Sequence, residues 1–269
     1  IQASNGASDY GNKLGEPVIL GFTRSYGDII NEKRIEWIKP IMFSAGLGQI
    51  DNTNLIKNKG EAGNLVIRVG GPGFPIGMGG GAASSRPQDS DNYNQDFKAV
   101  QRGDPQMANR LVRFVRVCCE MGADNPILSI HDQGSGGAAN VTKEIMYPVG
   151  SNINIENITG NNMSYLEKWC AEFQEQCTIL INMNNLHIVQ KIASQENVPI
   201  SVLGILNGSK NINIYSEQES KSLVNLPLEE VLGDMPRKKY NSEKKEINLP
   251  PISYNIIKFQ EYLSNVLRL

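Results

Sequence analysis

Histidine, cysteine and net charge are all scarce in this chain, and each scarcity removes a class of function. There are two histidines in 269 residues, and no HExxH pattern that would seat a zinc ion. The four cysteines, Cys118, Cys119, Cys170 and Cys177, show neither CxxC nor any metal-ligand spacing. Adjacent cysteines such as Cys118 and Cys119 seldom bridge, so the pattern predicts a reducing, cytoplasmic setting. A net charge of −2 and a pI of about 5.8 give no electrostatic case for nucleic acid or for an acidic membrane surface. No apolar run approaches the ~20 residues that cross a bilayer. Also missing are a Walker A loop, a GxSxG elbow and a GxGxxG turn that opens a helix after the first strand. The first residue is Ile1, with no basic segment or apolar signal core behind it, so the chain is expected to start inside something longer or to have been cut.

What the chain has in abundance is glycine, unevenly placed. Residues 70–85 read Gly70-Gly71-Pro72-Gly73-Phe74-Pro75-Ile76-Gly77-Met78-Gly79-Gly80-Gly81-Ala82-Ala83-Ser84-Ser85 and hold seven of the 26 glycines. They follow Leu65-Val66-Ile67-Arg68-Val69, which reads as a buried strand. Glycine lets backbone approach a ligand without a Cβ in the way, and a strand emptying into such a loop can present N–H groups to a phosphate or carboxylate. The bland reading is a Gly/Ser linker, but linkers rarely carry Phe, Ile and Met among their glycines.

Hydrophobic residues at 40% and charged residues at 20% are ordinary for a globular protein, and the length allows one large domain or two small ones. Three zones are predicted: 1–36, 37–217 and 218–269. The first opens on small polar residues from Ala3 to Asn12, read as a loop, and then the apolar run Pro17 to Phe22. In the second, strands are predicted at residues 38–44, 65–69, 126–130, 178–181, 200–205 and 211–215. Asp104-Pro105 is an N-cap and first-turn pair, after which Met107, Leu111, Phe114, Val115 and Cys118 recur on one helical face. A second amphipathic helix is marked by Leu186, Val189, Ile192 and Ala193. Strands and helices mixed in this order predict an α+β fold with helices packed on a sheet. The third zone, charged and proline-bearing, reads as a solvated connector.

Two further clusters carry candidate chemistry. In Ile130-His131-Asp132-Gln133-Gly134-Ser135-Gly136-Gly137 a strand ends at a carboxylate and enters a second glycine turn. Asp132 there suits Mg²⁺ shared with substrate oxygens, and equally suits a turn-and-cap aspartate. His131 reads as a structural hydrogen-bonder rather than a base. The run Glu167-Lys168-Trp169-Cys170-Ala171-Glu172-Phe173-Gln174-Glu175-Gln176-Cys177 gathers carboxylates and amides before a strand, where a polar ligand could be read. A solvated helix end has the same composition.

Taken together, residues 4–13, 70–85, 99–105, 131–137 and 172–175 closely resemble the phosphoribosylformylglycinamidine synthase family, most of all its large single-chain form. The resemblance implies an aminoimidazole ribonucleotide synthetase C-terminal-type domain, a mixed sheet flanked by helices, at 37–217. It places the tail of an N-terminal-type domain in front (1–36) and a connector toward a second synthetase repeat behind (218–269). It implies an ATP-dependent ligase that turns formylglycinamide ribonucleotide, glutamine and ATP into the amidine, with ATP and Mg²⁺ as cofactors and the remaining synthetase and glutaminase domains as partners.

Residue by residue, the resemblance gives Leu20, Gly21 and Phe22 to nucleotide binding. Gln101, in Gln-x-Gly-Asp-Pro, contacts the ribonucleotide, and Asp132 binds Mg²⁺. Glu172, Phe173 and Gln174 match the Glu-Ser-Gln of the substrate site, with Phe173 departing from the serine and losing its hydroxyl. Gln176 stands where the short form commonly has Arg. The family's catalytic histidine and main ATP loop lie outside the chain, so no catalytic residue is assigned, and the excised piece is expected to be inactive. Two other readings are a non-catalytic scaffold repeat and a superfamily kinase for thiamine phosphate or selenide. The Gln101 and 172–174 motifs, matching as a set, argue against the kinase.

Overall fold

The computed structural model describes residues 2–14, 18, 21–43, 45–75, 104–134, 136–160, 162–172, 175–233, 237–243 and 258–267. It divides into two units, Ile1–Asp234 and Met235–Leu269. In the second, the described regular element is helix α7 (Phe259–Leu267), a largely exposed helix with a Lys258–Glu261 ion pair at 3.7 Å.

The first unit opens with α1 (Gln2–Leu14), where the polar small-residue run had been read as a loop. The helix lies against α2 (Pro105–Glu120), and tertiary contact of this kind overrides a weak local propensity. An antiparallel hairpin follows, β1 (Phe22–Ile30) and β2 (Lys33–Phe43). Tyr26 stacks on Trp37 at 4.8 Å between ring centroids, although both rings stay exposed.

The main body is a seven-stranded mixed sheet. Its strands are β3 (Leu65–Gly70), β4 (Ile127–Asp132), β5 (Ser151–Asn154), β6 (Gln176–Ile181), β7 (Ile200–Leu206), β8 (Asn211–Ser216) and β9 (Lys221–Pro227). The spatial order is β4-β6-β3-β7-β5-β8-β9, antiparallel at every pairing except β5 with β8. The sequence named no strand after Tyr215; β9 and the short α6 (Leu228–Leu232) extend the folded body beyond it.

Both faces are covered, which is why all six positions of β3 and of β6 are buried. On one face Leu65, Ile67, Val69, Cys177, Ile179 and Ile181 pack against Phe114 and Cys118 of α2 and Val189, Ile192 and Ala193 of α5 (Leu186–Glu196). These are the residues the 3.6-residue spacing singled out. On the other face Val66, Leu180 and Leu203 meet Ala138, Ile145 and Met146 of α3 (Gly137–Met146), while Trp169 of α4 (Tyr165–Cys170) packs at its edge. Alternation along a strand assigns residues i and i+2 to one face. Arg68 therefore shares the α3 face with Val66, and Thr178 and Gln176 share it with Leu180.

Candidate functional site at one end of the sheet

Because β6 runs antiparallel to both β3 and β4, the carboxyl ends of β3 and β4 meet the amino end of β6. Three loops converge there. Gly70 N–H donates to the Pro199 carbonyl at 2.9 Å, and Gly71 N–H to the Glu175 carbonyl at 3.2 Å. Gln133 N–H donates to the Gln176 carbonyl at 2.9 Å. Gly70 (φ +123°) and Gly137 (φ +58°) sit so close to the backbone of Glu175 and of Ala171 that a Cβ on either would collide with a carbonyl oxygen. The glycines here serve close approach between chain segments as well as turning.

Two helices begin at this end with different caps. Asp104 accepts the Met107 N–H of α2 at 3.0 Å, with Pro105 in the first turn, as the sequence predicted. α3 starts instead on Gly136 (φ +85°) and has no side-chain cap. A helix start left uncapped retains N–H groups and the positive end of the helix dipole.

Several polar side chains at this end are buried. Glu172 is 3% exposed, Gln176 2% and Gln133 6%, so Glu172 and Gln176 do not lie on the solvated helix end their composition allowed. Across the strands His131, Thr178, Arg68 and Ser201 occupy one register row. Both amide atoms of Gln133, Thr178 Oγ1, Gln176 Oε1 and Arg68 Nε have no hydrogen-bond partner among the described residues. Native interiors leave few such atoms, and a cluster marks a place built for water or ligand. The sequence reading missed Arg68 and Thr178. Their signal was the change from Val66 to Arg68 and from Leu180 to Thr178 on the same face as the strands near their ends.

Asp132, the metal candidate, ends β4 with its side chain fully exposed. His131 turns back under it: Nδ1 lies 2.8 Å from the Asp132 carbonyl and Nε2 2.7 Å from Glu144 Oε2 on α3. That is the structural role expected of it. Among the described residues no group of three His, Cys, Asp or Glu could hold a metal. Asp132 therefore fits an ion held by one carboxylate and shared with ligand oxygens, and does not fit an all-protein cage. Burial pushes the Cys118 and Cys177 thiols up to about 12, which leaves neither a nucleophile.

The fold thus brings Asp132 and Glu172 to one end of the sheet. Gly21 and Phe22 open the separate hairpin, where Phe22 lies under the Arg24 guanidinium at 5.4 Å. Leu20, Gln101, Phe173 and Gln174 fall outside the described residues.

Residues 61–217 match the family model of the AIR synthase related protein, C-terminal domain. The chain belongs to this family. Over its whole length it is 46% identical to a protein named probable phosphoribosylformylglycinamidine synthase, chloroplastic/mitochondrial, of Arabidopsis thaliana, covering 20% of that relative. It is 44% identical to the phosphoribosylformylglycinamidine synthase of Dictyostelium discoideum and 40% to that of Homo sapiens, again over all of this chain and covering 21% and 22% of theirs. The chain thus spans about a fifth of the curated relatives it matches. The fold is that of T. maritima PurL complexed with FGAR (TM-score 0.67, 16% identity, 93% of this chain and 40% of that one). T. maritima PurL complexed with ATP gives 0.66 at 16% identity, over 97% and 40%. The AIR synthase related C-terminal domain of this chain is an α+β body, as the residue pattern predicted, with the mixed sheet between helices that the resemblance implied.

Proposed function

We propose that this AIR synthase related domain is part of a phosphoribosylformylglycinamidine synthase, the ligase that makes formylglycinamidine ribonucleotide for purine biosynthesis. The observation carrying the proposal is identity of 40–46% along the entire chain to three proteins of that name. In the reaction the substrate amide oxygen takes the γ-phosphoryl group of ATP, and ammonia released from glutamine displaces the phosphate. The products are the amidine, ADP, phosphate and glutamate.

In this reading the convergent end of the sheet faces the ligands. Gln101 and residues 172–174 contact the ribonucleotide, and Leu20, Gly21 and Phe22 contact the nucleotide. Asp132 would hold Mg²⁺ together with phosphate oxygens, and the ion when bound would neutralise charge on the phosphates. The uncapped start of α3 adds a partial positive charge beside that carboxylate. The remaining synthetase and glutaminase domains are the partners, the glutaminase supplying ammonia. Four free cysteines suit a cytoplasmic, reducing setting. A scaffold half that holds nucleotide without chemistry is the second reading.

The test is turnover by the full native polypeptide, with Gln101→Ala and Asp132→Ala beside it. A loss of ten-fold or more in kcat/KM, about 1.4 kcal/mol of transition-state stabilisation, is expected from each. Full turnover in both variants assigns the chain to a scaffold half.

A further inference from the structure

Arg68 is the largest charged side chain in the interior, 1% exposed in the middle of a strand whose other residues are apolar or glycine. Burial lowers it from 12.5 to about 10, so it stays a cation at neutral pH. Burying a charge without a counter-ion is unfavourable, and the neighbours Val66 and Leu180 show what this face of the sheet holds when packing alone decides. Among the described residues its partners are two backbone carbonyls. Nη1 donates to Thr159 at 3.2 Å and Nη2 to Gly71 at 3.1 Å.

Each of those carbonyls takes a second donor. Gly71 also receives the Gln176 side-chain amide, and Thr159 receives the Gly73 N–H at 3.4 Å. Gly71 N–H in turn reaches the Glu175 carbonyl. Pro72, between the two glycines, has no N–H to contribute. One planar guanidinium thus ties the first residues after β3 to Thr159 and, through Gly71, to Glu175 and Gln176. Lysine, a single point of donation, cannot span both carbonyls in that way.

We propose that Arg68 is a positioning residue, whose fork sets the backbone at residues 71–73 and registers Glu175 and Gln176 against it for ribonucleotide binding. The proposal rests on the ligase reading above for the ligand, while the positioning itself is a property of this chain. The test uses the full native polypeptide with Arg68→Lys and Arg68→Met. Amide exchange at Gly71 and Gly73 is expected to quicken ten-fold or more in both, and the KM for formylglycinamide ribonucleotide to rise ten-fold or more with a smaller change for ATP.

Unchanged exchange at those two amides overturns the proposal, whatever the activity. Wild-type kinetics in Arg68→Lys also overturns it, because charge alone would then suffice. Should Arg68→Met fail to fold, Arg68→Lys carries the same two readouts, and unaltered exchange or KM in it counts against the idea. A wild-type protein that forms no amidine defeats the ligase reading instead, and the exchange measurement still decides the positioning.

Discussion

Strands β3 and β4 end side by side around β6, yet the backbone leaving each is handled in opposite ways. After β3, Gly71 and Gly73 are fastened by Arg68, Gln176, Glu175 and Thr159. At the end of β4, Asp132 stands fully exposed, Gln133 is buried with its side-chain amide unpaired among the described residues, and α3 begins without a side-chain cap. The first exit uses buried polar groups to fix a shape. The second leaves the whole Gln133 side-chain amide without a partner among the described residues, where the first leaves only Arg68 Nε and Gln176 Oε1, at a cost to stability of about 1–3 kcal/mol for each buried orphan. A fold that tolerates the second beside the first keeps a tied backbone next to one that displays polar groups.

The largest effect expected from breaking this contrast is on the fixed exit. Gly70→Ala adds backbone strain to a collision with the Glu175 carbonyl. About 4 kcal/mol of destabilisation is expected, from roughly 1–3 for the strain and 1–3 for the overpacking. Gly136→Ala meets only the Asn140 side chain, at 3.0 Å, and should lose about 1–2 kcal/mol by strain alone. Denaturant melts of the two variants check the order, and equal losses would erase the distinction between the exits.

Gln133→Leu probes the displayed exit. It removes two orphaned amide atoms at similar volume, so stability should hold or rise by about 1 kcal/mol while kcat/KM of the full native polypeptide falls. A variant both less stable and fully active would mean the amide serves the fold.

Helix α4, which leads to Glu172, has its own anchor. Glu156 accepts from Ser216 Oγ at 2.8 Å and Tyr165 OH at 2.9 Å, and pairs with Lys168 of α4 at 3.3 Å. The Ser216 hydrogen bond first, with those of Tyr165 and Lys168, holds this carboxyl below the usual 4.5. A lowered carboxylate stabilises the fold above its unfolded value and loses that contribution as pH falls through the folded one. Thermal melts should therefore decline more steeply below about pH 4.5 in the wild type than in Glu156→Gln, a small effect. Parallel declines would show that the cluster does not anchor α4 through its charge.

Much of this was legible in the sequence wherever apolar period and local chemistry coincide. Asp104-Pro105 caps α2 as its residue types demand, and Val189 and Ile192 face the sheet as their spacing requires. The exits of β3 and β4 were visible as glycine after an apolar run. β1 escaped notice because Thr23-Arg24-Ser25-Tyr26-Gly27-Asp28 has no apolar period, and its pairing with β2 supplies what its own residues do not. Burial of Glu172 and Gln176 was illegible for another reason: carboxylates and amides look alike in a solvated helix and in a lined pocket until the neighbouring strands are placed. Arg68 stood unremarked inside a run read as a buried strand, and it is enclosed because the face it points to is covered as fully as the other.

The most direct measurement is Asp132→Ala in the full native polypeptide, read for melting temperature and kcat/KM together. An exposed side chain displayed for ligand should leave stability within about 0.5 kcal/mol of wild type while activity falls ten-fold or more. Undiminished activity, or a fold weakened in proportion to the lost activity, would contradict the account.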